Sequence, residues 1–144
     1  MSRKVRPIGD EDERTDARET ALVLLYEAES KSMAPVDVAD AQVLPIDALT
    51  RLLIEGVQAN GVQIDDLISA HAKGWTLQRM PSIDRNVLRV AVFELMGRSS
   101  VPIAVVINEA VELAKRFSTD DSGRFVNGVL SAIAPKVRAA TLLT

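Results

Sequence analysis

Few residues in this 144-residue chain have the types and spacing for chemistry. There is no cysteine and a single histidine, His71, which excludes thiolate nucleophiles and disulfides and leaves no ligand set for zinc. The carboxylate pairs Asp65-Asp66 and Asp120-Asp121 are sequence neighbours, and adjacent residues on a helix point apart, so neither pair makes an acid–base dyad. No Gly-rich phosphate loop occurs, and no serine or acid is ordered around His71 as a triad would need. His71 falls near the end of a predicted helix, where the dipole gives an imidazole a structural role. No enzyme activity, metal or cofactor is expected. What remains is binding. Ser122, Arg124 and Phe125 stand together at the start of a predicted helix, combining a hydroxyl, a cation and an aromatic ring. Single-stranded RNA is held by such parts, with phosphates on cations and bases on rings. Phe125 lies off the apolar face of its helix and has no evident core duty. Its other use is to cap the bundle, and composition alone favours that use.

The elements that must position these residues lie between Val101 and Ala134. Val106, Ala110, Leu113, Ala114 and Phe117 recur at helical spacing, and Val126, Val129, Leu130 and Ile133 repeat it. Pro102 opens the first helix and Pro135 is expected to close the second. Ser118 to Ser122 supply N-caps, with carboxylates beside the positive end of the next dipole. Upstream, a helix is predicted over 14–30 with Ala17, Ala21, Leu22, Leu25 and Ala28 inward and Tyr26 at the core or its rim. Shorter helices follow within 33–43, over 47–60 and over 64–72. Trp75 reads as a packing anchor in a connection. The most hydrophobic helix spans 83–97 and is apolar nearly all round, as a helix buried within a bundle must be. Asp84, in its first turn, is explained by the dipole alone. Residues 135–143 are expected to add a final short helix. Helix follows helix without strand alternation, so the fold class is all-α.

Apolar residues make up 47% of the chain and aromatics 3%, which suits one packed helical domain over 14–144. Residues 1–13 read as a flexible charged arm, with Arg3, Lys4 and Arg6 ahead of an acidic run. No stretch approaches the ~20 apolar residues of a membrane span, and the N-terminus lacks the apolar segment of a signal peptide. A cytoplasmic protein without membrane contact is expected. The net charge of −3 hides an asymmetry: residues 1–78 sum to −6 and residues 79–144 to +3. The second half therefore permits a basic face, although the overall balance does not announce one.

The run INEAVELAKRFSTDDSGRFVNGVL (107–130) resembles the C-terminal signature of the bacterial transcription antitermination factor NusB family. ARETALVLLYE (17–27) resembles the family's first helix, and WTLQRMPSIDRNVLRVAVFEL (75–95) its central one. The resemblance implies two small helical bundles packed across a shared central hydrophobic helix. It also implies a function: binding boxA RNA together with NusE, a small-subunit ribosomal protein, and joining the antitermination complex on RNA polymerase, notably at ribosomal RNA operons. By resemblance, RNA is met by a basic N-terminal segment, here Arg3, Lys4, Arg6, Arg14 and Arg18, and by the turn and helix start at Asp121, Ser122, Arg124 and Phe125. This reverses the reading of Phe125, which becomes a stacking platform with little share in stability. Tyr26 and Asp84 match positions in the protein-partner surface. One departure stands out. Family members carry clustered arginines before the first helix, whereas this chain has Arg14-Thr15-Asp16 after GDEDE. The RNA contact there is therefore expected to be weaker, displaced to Arg3, Lys4 and Arg6, or supplied by the partner, and the isolated chain to bind RNA weakly. Two other readings use the same bundle: an adaptor that binds only protein, and a detached accessory module like the domain fused to ribosomal RNA methyltransferases. No methyltransferase domain follows in the sequence, so no catalysis is expected.

Overall fold

The structure, a computed structural model, describes residues 11–143. The expected contacts at Arg3, Lys4 and Arg6 lie outside these residues. Seven α-helices follow in order: α1 (Glu11–Lys31), α2 (Pro35–Asp40), α3 (Ala48–Ala59), α4 (Gly61–His71), α5 (Ser82–Gly97), α6 (Ile103–Phe117) and α7 (Asp120–Leu143). A single 3-10 turn, Leu77–Arg79, precedes α5, and no strand occurs among the described residues. Helices α1 to α3 pack on one another and α6 packs along α7. Between the two groups lies α5, in contact with α1, α3 and α4 and also with α6 and α7. That is the arrangement expected from the near-continuous apolar run of 87–95. Val87, Leu88 and every residue from Val90 to Leu95 are buried, and each large aliphatic side chain so removed from water contributes roughly 1.5–3 kcal/mol. Among the described residues, no helix is long and apolar enough to cross a membrane.

Local chemistry explains most boundaries. Asp47 caps α3 by accepting the Thr50 N–H at 2.8 Å. Proline stands at the first position of α2 and immediately before α5 and α6, where its missing N–H costs nothing. Ser32 ends α1 with φ of 54°, while the Met33 N–H reaches back to the Ala28 carbonyl at 2.9 Å. That left-handed closure normally falls to glycine. Gly56 marks the closest approach of α3 to α5, since a Cβ there would lie 2.2 Å from the Phe93 ring.

Two boundaries differ from expectation. Helix α1 already includes Glu11, ahead of the expected start at residue 14, since Glu11, Asp12 and Glu13 are favourable toward the positive end of a helix dipole. It therefore takes in the last residues assigned to the arm. Pro135 does not close the last helix, for α7 continues through it to Leu143. A proline inside a helix removes one backbone bond, and here the ring is solvent-exposed. The turn beyond it is held by Arg138, whose guanidinium donates to the Leu95 carbonyl at 2.8 Å and the Val101 carbonyl at 2.9 Å. Those acceptors belong to the open end of α5 and the segment after it. The expected separate helix over 135–143 is thus the far end of α7.

Candidate RNA interface

The turn between α6 and α7 is a small hydroxyl network. Thr119 Oγ1 accepts the Ser122 N–H at 3.0 Å and donates to Ser122 Oγ at 3.1 Å, and Ser118 Oγ lies 2.9 Å from the same oxygen. Ser122 is buried by this capping. It holds the start of α7 and offers little surface of its own. Arg124 and Asp121 form an ion pair across one turn and are 74% and 85% exposed, so solvent screens the pair and it is easily exchanged.

Phe125 follows on the same helix. Its ring meets Trp75 edge-on, with centroids 6.3 Å apart and planes at 63°, a favoured aromatic geometry. Phe125 also packs against the main hydrophobic cluster. The expectation that it has little share in stability is corrected accordingly: it is half-buried, with one face committed to the fold. Trp75, expected to be a packing anchor, is 50% exposed and forms the other aromatic wall. Between α5, α7 and the connection at 75–81 lies a cavity of about 310 Å³, lined among others by Trp75, Asp84, Thr119, Asp121 and Phe125. Asp84 is 4% exposed, and its Oδ1 has no hydrogen-bond partner. A carboxylate so placed can meet the protein partner that the resemblance implies only through this recess. Only a group that enters the cavity can reach it.

Arg18 is the second correction. It is 2% exposed, with Nε 2.7 Å and Nη2 2.9 Å from the two Glu94 oxygens and Nη1 3.2 Å from Glu109. Burial opposes its charge, but the hydrogen bonds and charges of Glu94 and Glu109 more than offset this and raise its pKa. Arg98 holds Glu94 from the other side at 2.8 Å. Arg18 therefore joins α1 to α5 and α6 and presents nothing to a phosphate. The arginines of α5 are similarly committed. Arg85 and Arg89 both reach Glu29 of α1, at 2.6 and 2.7 Å, and Arg89 also reaches Asp65 of α4 at 2.9 Å. Burial pushes the Glu29 carboxyl up, but hydrogen bonds from Arg85 and Ser82 and the charges of Arg85 and Arg89 bring it down to about 2. Much of the positive charge of the second half thus serves the fold.

Tyr26 is 47% exposed on α1, one turn from the equally open Val23. It takes no part in lining the cavity beside Phe125, so the two residues expected on one partner surface, Tyr26 and Asp84, have different surroundings. Arg14 lies four residues before Arg18 on α1 and is partly exposed. Phe117, expected to face inward, is 38% exposed with the Arg116 guanidinium 5.1 Å above its ring. Arg116 in turn reaches Glu19 at 3.3 Å. Sequence reasoning missed this cation–π pair and the role of Trp75. A tryptophan in a short connection and, in Phe125, a phenylalanine off its helix's apolar face were the available signals for the aromatic wall, and Arg116 next to Phe117 was the signal for the pair.

Comparison with known proteins decides the family. A family model described as the NusB family matches residues 15–135. The chain belongs to the NusB family. It is 50% identical over 127 residues to the "Transcription antitermination protein NusB" of Saccharopolyspora erythraea, covering 84% of this chain and 86% of that one. NusB of T. maritima superposes with a TM-score of 0.79 at 34% identity, covering 91% of this chain and 97% of that one. A crystal structure of the antitermination factors NusB and NusE in complex with double-stranded RNA matches with a TM-score of 0.74 at 28% identity. It covers 88% of this chain and 98% of that one. The two-bundle NusB fold, with α5 shared, is therefore the fold of this chain. Its NusB signature run, 107–130, comprises most of α6 and the start of α7, which carry the hydroxyl network, the exposed ion pair and one wall of the cavity.

Proposed function

We propose that this protein is a transcription antitermination factor, not an enzyme, that binds single-stranded boxA-type RNA together with NusE in the cytoplasm. The observation that carries this reading is the aromatic pair of half-exposed Trp75 and partly buried Phe125, beside an open cavity at the start of α7, in a chain of the NusB family. Bases stack on exposed rings with little regard to sequence, and Arg124 can exchange Asp121 for a phosphate at small cost because both are in solvent. Asp121 and Ser122 then act by shaping the helix start. Contacts at Arg3, Lys4, Arg6 and Arg14 would add phosphate binding along the arm. The exposed Val23 and Tyr26 face of α1 suits the protein partner, since aromatic residues anchor such interfaces. Membership of the antitermination complex on RNA polymerase, notably at ribosomal RNA operons, follows from the same reading.

With Arg18 withdrawn into the core and acidic residues at both helix starts, the isolated chain should hold RNA weakly and with a shallow salt dependence. Electrophoretic mobility of a boxA RNA tests this. A faint shift with the protein alone and a strong one with NusE added are expected. No shift in either lane, with NusE still bound, would favour a purely protein-binding adaptor.

A further inference from the structure

The cavity beside Phe125 has a feature that its walls do not explain. Asp84 is almost wholly buried there, yet Oδ1 finds no donor, and a buried acceptor is costly to leave unpaired. The cations of its own helix do not serve it, since Arg85 and Arg89 are held by Glu29 and Asp65, and Arg98 just beyond the helix is held by Glu94. The other charged residue lining the cavity is Asp121, whose partner Arg124 lies outside the lining. An unpaired Asp84 with no cation in the lining disfavours a phosphate inside the cavity. The same lining suits a flat group that presents N–H donors and lies against the rings of Trp75 and Phe125.

We infer that this cavity reads a guanine base, with its N1–H and N2 amino group donating to the Asp84 carboxylate. The inference rests on the RNA-binding reading above and adds the base that is selected. Guanine offers two adjacent donors on its Watson–Crick edge. Adenine and cytosine offer one amino group beside an acceptor nitrogen, and uracil one N–H between two carbonyls, so each turns a lone pair toward the second carboxylate oxygen. The volume of about 310 Å³ admits one base, and Thr119 and Ser122 of the hydroxyl network at the α7 start also line it. Asp84 is in this sense a specificity residue, distinct from the stacking rings.

The test uses the full chain with NusE and a short uridine oligonucleotide carrying one central guanosine, inosine or adenosine. Inosine lacks only the N2 amino group. Fluorescence anisotropy is expected to rank guanosine roughly tenfold above the other two. Asp84→Asn should abolish that preference and melt no lower than the parent, because no partner is lost. Should Asp84→Asn fail to fold, the ranking by the unaltered chain decides alone. Equal affinities for all three oligonucleotides would overturn the guanine assignment while leaving RNA binding intact. Absence of binding to any of them would overturn the RNA reading itself. A variant that keeps the base ranking but loses NusE would show that the cavity takes a basic protein side chain, and would also overturn the assignment.

Discussion

Arg18 and Arg124 are both arginines expected to meet RNA, and the fold gives them opposite surroundings. Arg18 is sealed against Glu94 and Glu109 at the junction of α1, α5 and α6, whereas Arg124 stands in solvent beside Asp121. The same charge is structural in one place and available in the other. What separates them is the partner that tertiary packing supplies, for Glu94 lies 76 residues from Arg18 in sequence. Binding in this family member is therefore expected to concentrate at the α5–α7 end, where rings and charges remain open, and not along the inward face of α1.

The largest effect that could break this contrast is at Glu94. Glu94→Ala removes the bidentate partner of buried Arg18 and leaves it Glu109 alone, a change expected to cost about 3 kcal/mol. A thermal melt should show a steep fall, while the folded fraction keeps its affinity for RNA in the presence of NusE. A variant that melts normally but loses RNA would return Arg18 to the binding surface. The next effect is at acid pH. The Glu29 carboxyl is depressed to about 2 in the fold from an ordinary value of 4.5. Its stabilising contribution is therefore complete above pH 4.5 and is lost as pH falls toward about 2. Allowing for its partial exposure, the loss is on the order of 2 kcal/mol. Glu29→Gln should flatten the pH dependence of urea midpoints across this window, and a profile unchanged by the substitution would discount the network.

Phe125→Ala is expected to weaken RNA binding by ~1–3 kcal/mol through the lost stack. It should also lower stability by about 1 kcal/mol through the lost contact with Trp75. Calorimetry with boxA RNA and a melt measure the two separately, and loss of stability without loss of affinity would make the ring purely structural. Asp16→Arg is the smallest change. Asp16 is exposed on α1, well after its first turn, so the dipole penalty is slight. One further phosphate contact would steepen the slope of log affinity against log salt by about 0.7. An unchanged slope would show that RNA does not pass over α1.

The helices were legible because their apolar spacing is local: α3 and α5 fall within one residue of their expected limits. Helix α7 was legible at its start, where Thr119 and Ser122 form the cap, and illegible at its end. The far turn depends on Arg138 reaching carbonyls some forty residues away, which no local rule at Pro135 conveys. The site was legible in its residue types, as an aromatic beside a cation at a helix start. The depth of Asp84, the exposure of Trp75 and the burial of Arg18 were not, because each is set by which distant element arrives beside it.

Photocrosslinking tests the central claim most directly. A boxA RNA substituted with thiouridine, irradiated with the protein and NusE and mapped by peptide mass, is expected to mark Trp75 and Phe125, with no crosslink on the peptide carrying Arg18. Crosslinks confined to α1 around Arg14 and Arg18, with Trp75 and Phe125 unmarked, would contradict it.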